Sequence, residues 1–340
     1  MFEHRAYNNF EVDKNNPSLI IKSSEEKRLL DEYAYYESLP TNLKFFFPRT
    51  LPLVTIPLPD GKNLYKMSME YYAYDNLGKV MLEKLYVEKF WSKIFSGIFE
   101  FIEKCKEHKI TNDRNILDCD SMYVIKTERE QRALCNSSHF FSDLNKEDFL
   151  NLNGEKLLNF NVIWPKIKSY IKSNFYTDSF NYIHGDMCFS NIMYGVHPKT
   201  EDTILKFIDP RGSFGDTKFY GDSYYDLAKI SHSVNGGYEY FINDNFSIVQ
   251  SDRNSFSLSF WDEQNNFFTK DVSLLITHKD HVKDLFCEMM KDRNYDSMKI
   301  KTLEGTIFVG MCARHYDSFS RQQAMYLTGL KLLNEVYRTL

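Results

Sequence analysis

The chain has 340 residues, and its formal charge of −5 comes from 42 basic and 47 acidic residues mixed along its length; without a basic tract to neutralise a phosphate backbone, nucleic acid is excluded as the main partner. With 43% hydrophobic and 16% aromatic residues against only 14 Gly and 9 Pro, a disordered or fibrous chain is excluded as well. No run approaches the roughly 20 apolar residues that cross a bilayer, and the opening MFEHRAYNNF lacks the basic-then-apolar order of a signal peptide, so no membrane span and a cytoplasmic location are expected.

In chain order, residues 18–22 (SLIIK) form a β-branched run, and Ser23 or Ser24 followed by Glu26 reads as a helix cap. A strand therefore feeds a helix over 25–39, with Leu29, Leu30, Tyr33 and Tyr36 at helical spacing and a stop at Pro40. Two apolar stretches around Pro59-Asp60-Gly61-Lys62 predict a hairpin. Pro52, Pro57 and Pro59 place its first strand at a sheet edge.

From 80 to 109 the pattern turns helical, marked by Leu82, Leu85, Phe90, Trp91, Ile94, Ile98, Phe101 and Ile102. A shift of composition near residues 76–78 divides the chain into a smaller part, 1–77, and a larger one, 78–340. Beyond lie a polar, poorly patterned stretch (110–155), a helix over 162–173, a motif-rich segment (181–229) and a C-terminal third read as helical, closing with a helix over 322–337. The six cysteines show no CxxC pair and no zinc-type spacing, so they read as reduced and mostly buried; Cys188 has no neighbour that would lower its pKa.

The chemistry is concentrated in Tyr182-Ile-His-Gly-Asp-Met-Cys-Phe-Ser-Asn191 and Leu205-Lys-Phe-Ile-Asp-Pro-Arg-Gly212. Phosphoryl transfer needs a carboxylate to orient or deprotonate the attacking hydroxyl, and oxygen ligands for the cation that bridges the nucleotide phosphates. Asp186, Asn191 and Asp209 supply that set. The apolar runs before each aspartate place both at strand ends, and HPKTED between them reads as a hairpin loop. The P-loop pattern GxxxxGK[ST] and the dinucleotide pattern GxGxxG are both absent.

On these residues the sequence resembles the aminoglycoside/choline phosphotransferase family, whose catalytic loop reads HGDxxxxN and whose metal-binding aspartate follows an apolar strand. The resemblance implies an α+β, two-lobed protein-kinase-like fold with a small β-rich, nucleotide-binding N-lobe (1–77) carrying one helix and a larger, mainly helical C-lobe (78–340) with the catalytic loop, metal site and substrate site. It implies Asp186 as catalytic base, Asn191 and Asp209 as Mg2+ ligands, and ATP as phosphoryl donor. His184 would be a scaffold for the loop, and Asp226, in Tyr225-Asp-Leu-Ala228, a buried support beneath it.

It further implies a lysine on a strand that contacts the nucleotide phosphates, paired with a glutamate on the next helix, which Lys22 and Glu32 match. Glu70, Tyr71 and Tyr72 fall where main-chain groups would meet adenine. His315 and Asp317, with Arg211 beside the metal site, are the expected substrate contacts. Residues 1–21 contain no glycine, unlike the usual phosphate-covering hairpin; Asn-rich YNNFEVDKNNPS can turn without it. CFSN, IDPRG and YDLAK are similar to a branch associated with bacterial capsule or surface-polysaccharide clusters, which implies a small-molecule hydroxyl acceptor such as a sugar, polyol or amino alcohol. Two other readings stand beside it: a protein kinase or other nucleotide-dependent transferase on the same scaffold, and a nucleotide-binding pseudokinase.

Overall fold

The computed structural model describes residues 9–83, 87–262, 267–269 and 278–340. It is α+β, with a β-rich N-terminal region and a mainly helical C-terminal part. The N-terminal sheet has four antiparallel strands in the order Asn9–Val12, Leu19–Ser24, Asn63–Glu70, Val54–Pro57. The first turn closes without glycine, because the Asp13 carboxylate accepts the N–H groups of Asn15 (2.8 Å) and Asn16 (3.3 Å). The proline-bearing strand Val54–Pro57 is an outer strand, where a missing N–H costs no central ladder bond. Strand Asn63–Glu70 buries every second side chain, Tyr65, Met67 and Met69. Helix Arg28–Ser38 buries Leu29, Glu32, Tyr35 and Tyr36.

Three expectations are corrected. In place of one helix over 80–109 there are two, Leu77–Glu83 and Glu88–Lys106, because Val87 is extended and the second helix restarts after it; Leu85 lies outside the described residues. The stretch 110–155 is mostly helical: Arg114–Asp120, a π-helical turn Ser121–Ile125, Lys126–Ser137 and His139–Leu144, then the hairpin Phe149–Leu152 and Glu155–Leu158. The π turn inserts an extra residue and throws the buried Met122, Tyr123 and Val124 out of step with Leu134, which hides the helical period. The C-terminal third also contains the long hairpin Phe246–Asp252 and Ser255–Asp262, whose second strand pairs in parallel with Phe149–Leu152.

Packing is continuous across residues 76–78. One apolar cluster joins Tyr36, Phe47 and Met67 of the N-terminal region to Phe101, Tyr182, Met187, Phe207 and Ile230. That shared core holds the strand Leu19–Ser24 against the segment carrying the HGD and IDP motifs. No helix among the described residues is long and apolar enough to cross a membrane.

Candidate active site

Strand Ser179–Tyr182 delivers the HGD loop, and the antiparallel hairpin Ile192–Val196 and Thr203–Phe207 connects it to Asp209. The loop is tied down from below. Helix Ser223–Val234 begins at Asp222, whose carboxylate caps the Tyr224 N–H at 3.0 Å, accepts from the Tyr123 hydroxyl at 2.8 Å and pairs with Lys299 at 2.7 Å. One turn in, the buried Asp226 carboxylate accepts the backbone N–H groups of His184 (2.8 Å) and Gly185 (2.7 Å). Burial pushes Asp226 up to about 7, against the pull of those two N–H groups.

Gly185 has φ +79, and a Cβ there would lie 2.9 Å from the Arg211 Cβ, so both backbone sign and space require glycine. His184 is fully buried, and burial lowers its pKa to about 4, so it is neutral. Its Nδ1 accepts the Asp186 N–H at 3.2 Å, so the proton sits on Nε2 and is donated to the Ile208 carbonyl at 3.0 Å. One ring thereby fixes the spacing between the Asp186 and Asp209 segments.

Asn191 donates from Nδ2 to the Asp186 carbonyl at 2.9 Å, which orients its amide and leaves Oδ1 as an oxygen donor. The Ile208 N–H donates to the Asn191 carbonyl at 3.0 Å and brings Asn191 next to Asp209. Asp209 is left-handed at φ +57, a conformation aspartate tolerates better than most residues. Its side chain is 37% exposed and that of Asp186 is 30% exposed, so both reach solvent from a largely buried frame.

Lys22 reaches this cluster from the N-terminal sheet. Its ammonium lies 2.6 Å from Glu32 and 2.6 Å from Asp209, and it sits over the Phe10 ring of the first hairpin. Burial works to discharge Lys22, but the two carboxylates outweigh it and hold the pKa above the ordinary lysine range. Glu32 is pushed up to about 7 by burial against the pull of Lys22. Two carboxylates around one ammonium favour the charged lysine.

The other predicted residues divide. The Glu70 N–H is spent on the Arg49 carbonyl and the Tyr71 N–H on the Ser18 carbonyl, at 2.9 and 2.8 Å. Among the described residues the Tyr72 N–H makes no backbone hydrogen bond, while its hydroxyl donates to Glu70 at 2.5 Å. Arg211 stands beside Gly185 and donates to the Tyr225 hydroxyl at 3.3 Å. His315 meets the Tyr238 ring, which Lys229 also faces. Asp317 instead pairs with Arg321 at 3.1 Å, at the start of helix Phe319–Thr339.

Lys229 was not given a role by the sequence. Its ammonium lies 2.9 Å from Asp186; burial works to discharge it, and Asp186 together with Cys188, Tyr225 and Tyr238 outweighs that and holds it charged. The available signal was its position three residues after Asp226, which puts both on the helix face under the loop. Cys188 is buried, and its thiol is pushed up to about 12 by burial and then by Asp186, so it is no nucleophile. A cavity of about 460 Å³ lies elsewhere, lined by Lys279, Glu304, Tyr240 and Trp261 among others and by none of the cluster Lys22, Asp186, Asn191 and Asp209.

No protein-family model and no curated protein matches the chain. Among solved structures it is similar to the apo form of a thermostable mutant of aminoglycoside phosphotransferase APH(4)-Ia, at 8% identity over 94% of this chain and 87% of that one, with a TM-score of 0.45. It is also similar to the amicoumacin kinase hAmiN in complex with AMP-PNP, Ca2+ and Ami, at 10% identity over 98% of this chain and 87% of that one, with a TM-score of 0.47.

The donor set suits a hard divalent cation. Asp209 and Asn191 offer oxygen donors, and Mg2+ is ordinarily held by one or two carboxylates plus phosphate and water oxygens. Among the described residues no three His, Cys, Asp or Glu side chains cluster as a self-sufficient metal cage. A cation here would need the oxygens of a bound phosphate to complete its shell.

Proposed function

We propose that the protein is an ATP-dependent phosphotransferase that phosphorylates a hydroxyl of a small molecule. The observation that carries this reading is that Asp186, Asn191 and Asp209 are held in one cluster by their own backbone ties, and that a charged Lys22 from a different sheet meets Asp209 there. An aspartate held open by a neutral histidine and a buried aspartate, beside a carboxamide and a second carboxylate, is the equipment of phosphoryl transfer.

Asp186 orients the acceptor hydroxyl and takes its proton as that oxygen bonds to the γ-phosphorus; the bond from the γ-phosphorus to the β–γ bridging oxygen breaks, and ADP leaves. Lys229, 2.9 Å from Asp186, aims its carboxylate. Lys22, fixed by Glu32, neutralises phosphate charge, and the hairpin from Asn9 to Ser24 covers the phosphates. Asp209 and Asn191 would hold a magnesium ion, which when bound spreads the negative charge developing on the transferring group. The Tyr72 N–H and the Glu70 carbonyl are the main-chain groups assigned to the adenine edge.

The test is magnesium-dependent ADP release from ATP with sugars, polyols, choline, ethanolamine and aminoglycosides, using Asp209→Ala as the blank. The resemblance of CFSN, IDPRG and YDLAK to a surface-polysaccharide branch is the reason to include sugars and polyols. Turnover on one class that disappears in Asp209→Ala supports the proposal. ATP-induced thermal stabilisation with no turnover on any alcohol replaces it with the nucleotide-binding module.

A further inference from the structure

Beside Asp186 the protein gathers positive charge that the phosphoryl-transfer roles above leave unassigned. Tyr225 and Lys229 stand one turn apart on helix Ser223–Val234, so they share a face. The buried Tyr225 hydroxyl receives two cationic donors, Lys126 at 3.1 Å and Arg211 at 3.3 Å. These arrive from different places: Lys126 opens helix Lys126–Ser137, and Arg211 follows the IDP motif.

Among the described residues neither Lys126 nor Arg211 pairs with a carboxylate, whereas the neighbouring Arg314 is matched by Glu130 at 3.2 Å. Burial, joined by Arg211 and Arg314, lowers Lys126 to about 8 against the pull of Tyr225. Tyr225 falls to about 8 because Lys126, Arg211 and Lys229 together outweigh its own burial. A phenol that accepts from two cations still has its own O–H to donate, and no acceptor for it lies within reach among the described residues. Holding a lysine and an arginine together without a carboxylate costs free energy, which an anion placed between them would return.

We infer that the acceptor carries an anionic group, a phosphate or a carboxylate, which Lys126, Arg211 and the Tyr225 hydroxyl grip while the acceptor's own hydroxyl faces Asp186. This deepens the proposed function and rests on it. It turns the expected acceptor away from cationic amino alcohols and aminoglycosides, which this corner would repel, and towards sugar phosphates, polyol phosphates and sugar acids.

The experiment uses the full chain and matched acceptors: glucose against glucose 6-phosphate and gluconate, and glycerol against glycerol 3-phosphate, with ethanolamine as the cationic control. ADP release is measured with Mg·ATP, and binding of the same compounds is measured calorimetrically without nucleotide. An anionic member should exceed its neutral partner by about tenfold or more in kcat/KM, the scale of one charge-assisted contact. Lys126→Gln and Tyr225→Phe should raise its KM by a similar factor with the KM for ATP unchanged, and Lys126→Arg should restore it.

Preference for neutral or cationic alcohols overturns the inference and leaves the kinase standing. A rise in the KM for ATP in Lys126→Gln also overturns it, by assigning these cations to the nucleotide phosphates. Selective binding of an anionic compound, lost in Lys126→Gln, without any ATP turnover supports the anion site while the kinase reading falls. Absence of selective anion binding and turnover alike overturns both.

Discussion

Replacing Lys22 by Met removes the ammonium that lies 2.6 Å from both Glu32 and Asp209. Asp209, 37% exposed, is screened by water and contributes little to the cost. Glu32 is fully buried, and with Lys22 in place it sits at about 7 instead of its ordinary 4.5. Lys22 is the chief influence lowering it, so in the variant the carboxyl titrates above 7. A carboxyl whose folded pKa lies above its unfolded value contributes stability at low pH that is lost as pH rises through the folded pKa.

In the parent protein that loss is complete a little above pH 7, and in Lys22→Met it continues upward at as much as about 1.4 kcal/mol per pH unit. Between pH 7 and pH 9 the difference between the two proteins should therefore widen by up to about 3 kcal/mol, the lower end of the 3–5 kcal/mol typical of a broken buried pair. Near pH 6, where Glu32 is mostly protonated in both, they should differ least. Urea midpoints at half-unit steps from pH 6 to pH 9 read this directly. A constant offset across pH 7–9 would refute the claim that Lys22 is what keeps Glu32 ionised.

Asp186→Asn should lower kcat by roughly 10²–10⁴-fold, the usual contribution of a positioned base, with ATP-induced thermal stabilisation retained; near-normal kcat would remove Asp186 from that role. Asp209→Ala should abolish the extra thermal stabilisation that magnesium adds to ATP, and a magnesium response equal to that of the parent would move the cation elsewhere. Asp226→Asn keeps one acceptor for two buried N–H groups and should cost about 1–3 kcal/mol in urea unfolding, because one donor is left facing an amide NH2. Gly185→Ala should destabilise by about 1–3 kcal/mol, since its φ of +79 is strained for alanine and its new methyl group meets Arg211.

The N-terminal strand, the first helix, the proline-edged hairpin and the HGD and IDP segments could all be read from the chain. Each is specified by local chemistry: β-branched runs, apolar residues at helical spacing ended by Pro40, a Pro-Asp-Gly turn and carboxylates at fixed spacing. The expected serine cap does not form, because Ser23 and Ser24 belong to the strand and the helix begins after Lys27 without a side-chain cap. Lys22 and Glu32 were matched through the family resemblance, with Glu25, Glu26 and Glu37 as alternatives on the same segment, and the way the helix packs on the strand is what brings Glu32 to Lys22. The helices over 110–155 were not, since the π turn at Ser121–Ile125 breaks the period that would have revealed them. The C-terminal hairpin was missed because its partner strand, Phe149–Leu152, lies about a hundred residues earlier in the chain.

Only the tertiary structure could decide the charge partners. Lys229 stands in the same short stretch as Asp226, yet nothing in the order YDLAK says that one meets the backbone of the HGD loop and the other meets Asp186. The meeting of Lys126, Arg211 and Tyr225 joins three separate segments around one hydroxyl. Local sequence determines how a strand or helix begins and ends. Which distant charge is left without a carboxylate is settled by how those elements pack, because a pairing energy acts through space and leaves no period or spacing in the chain.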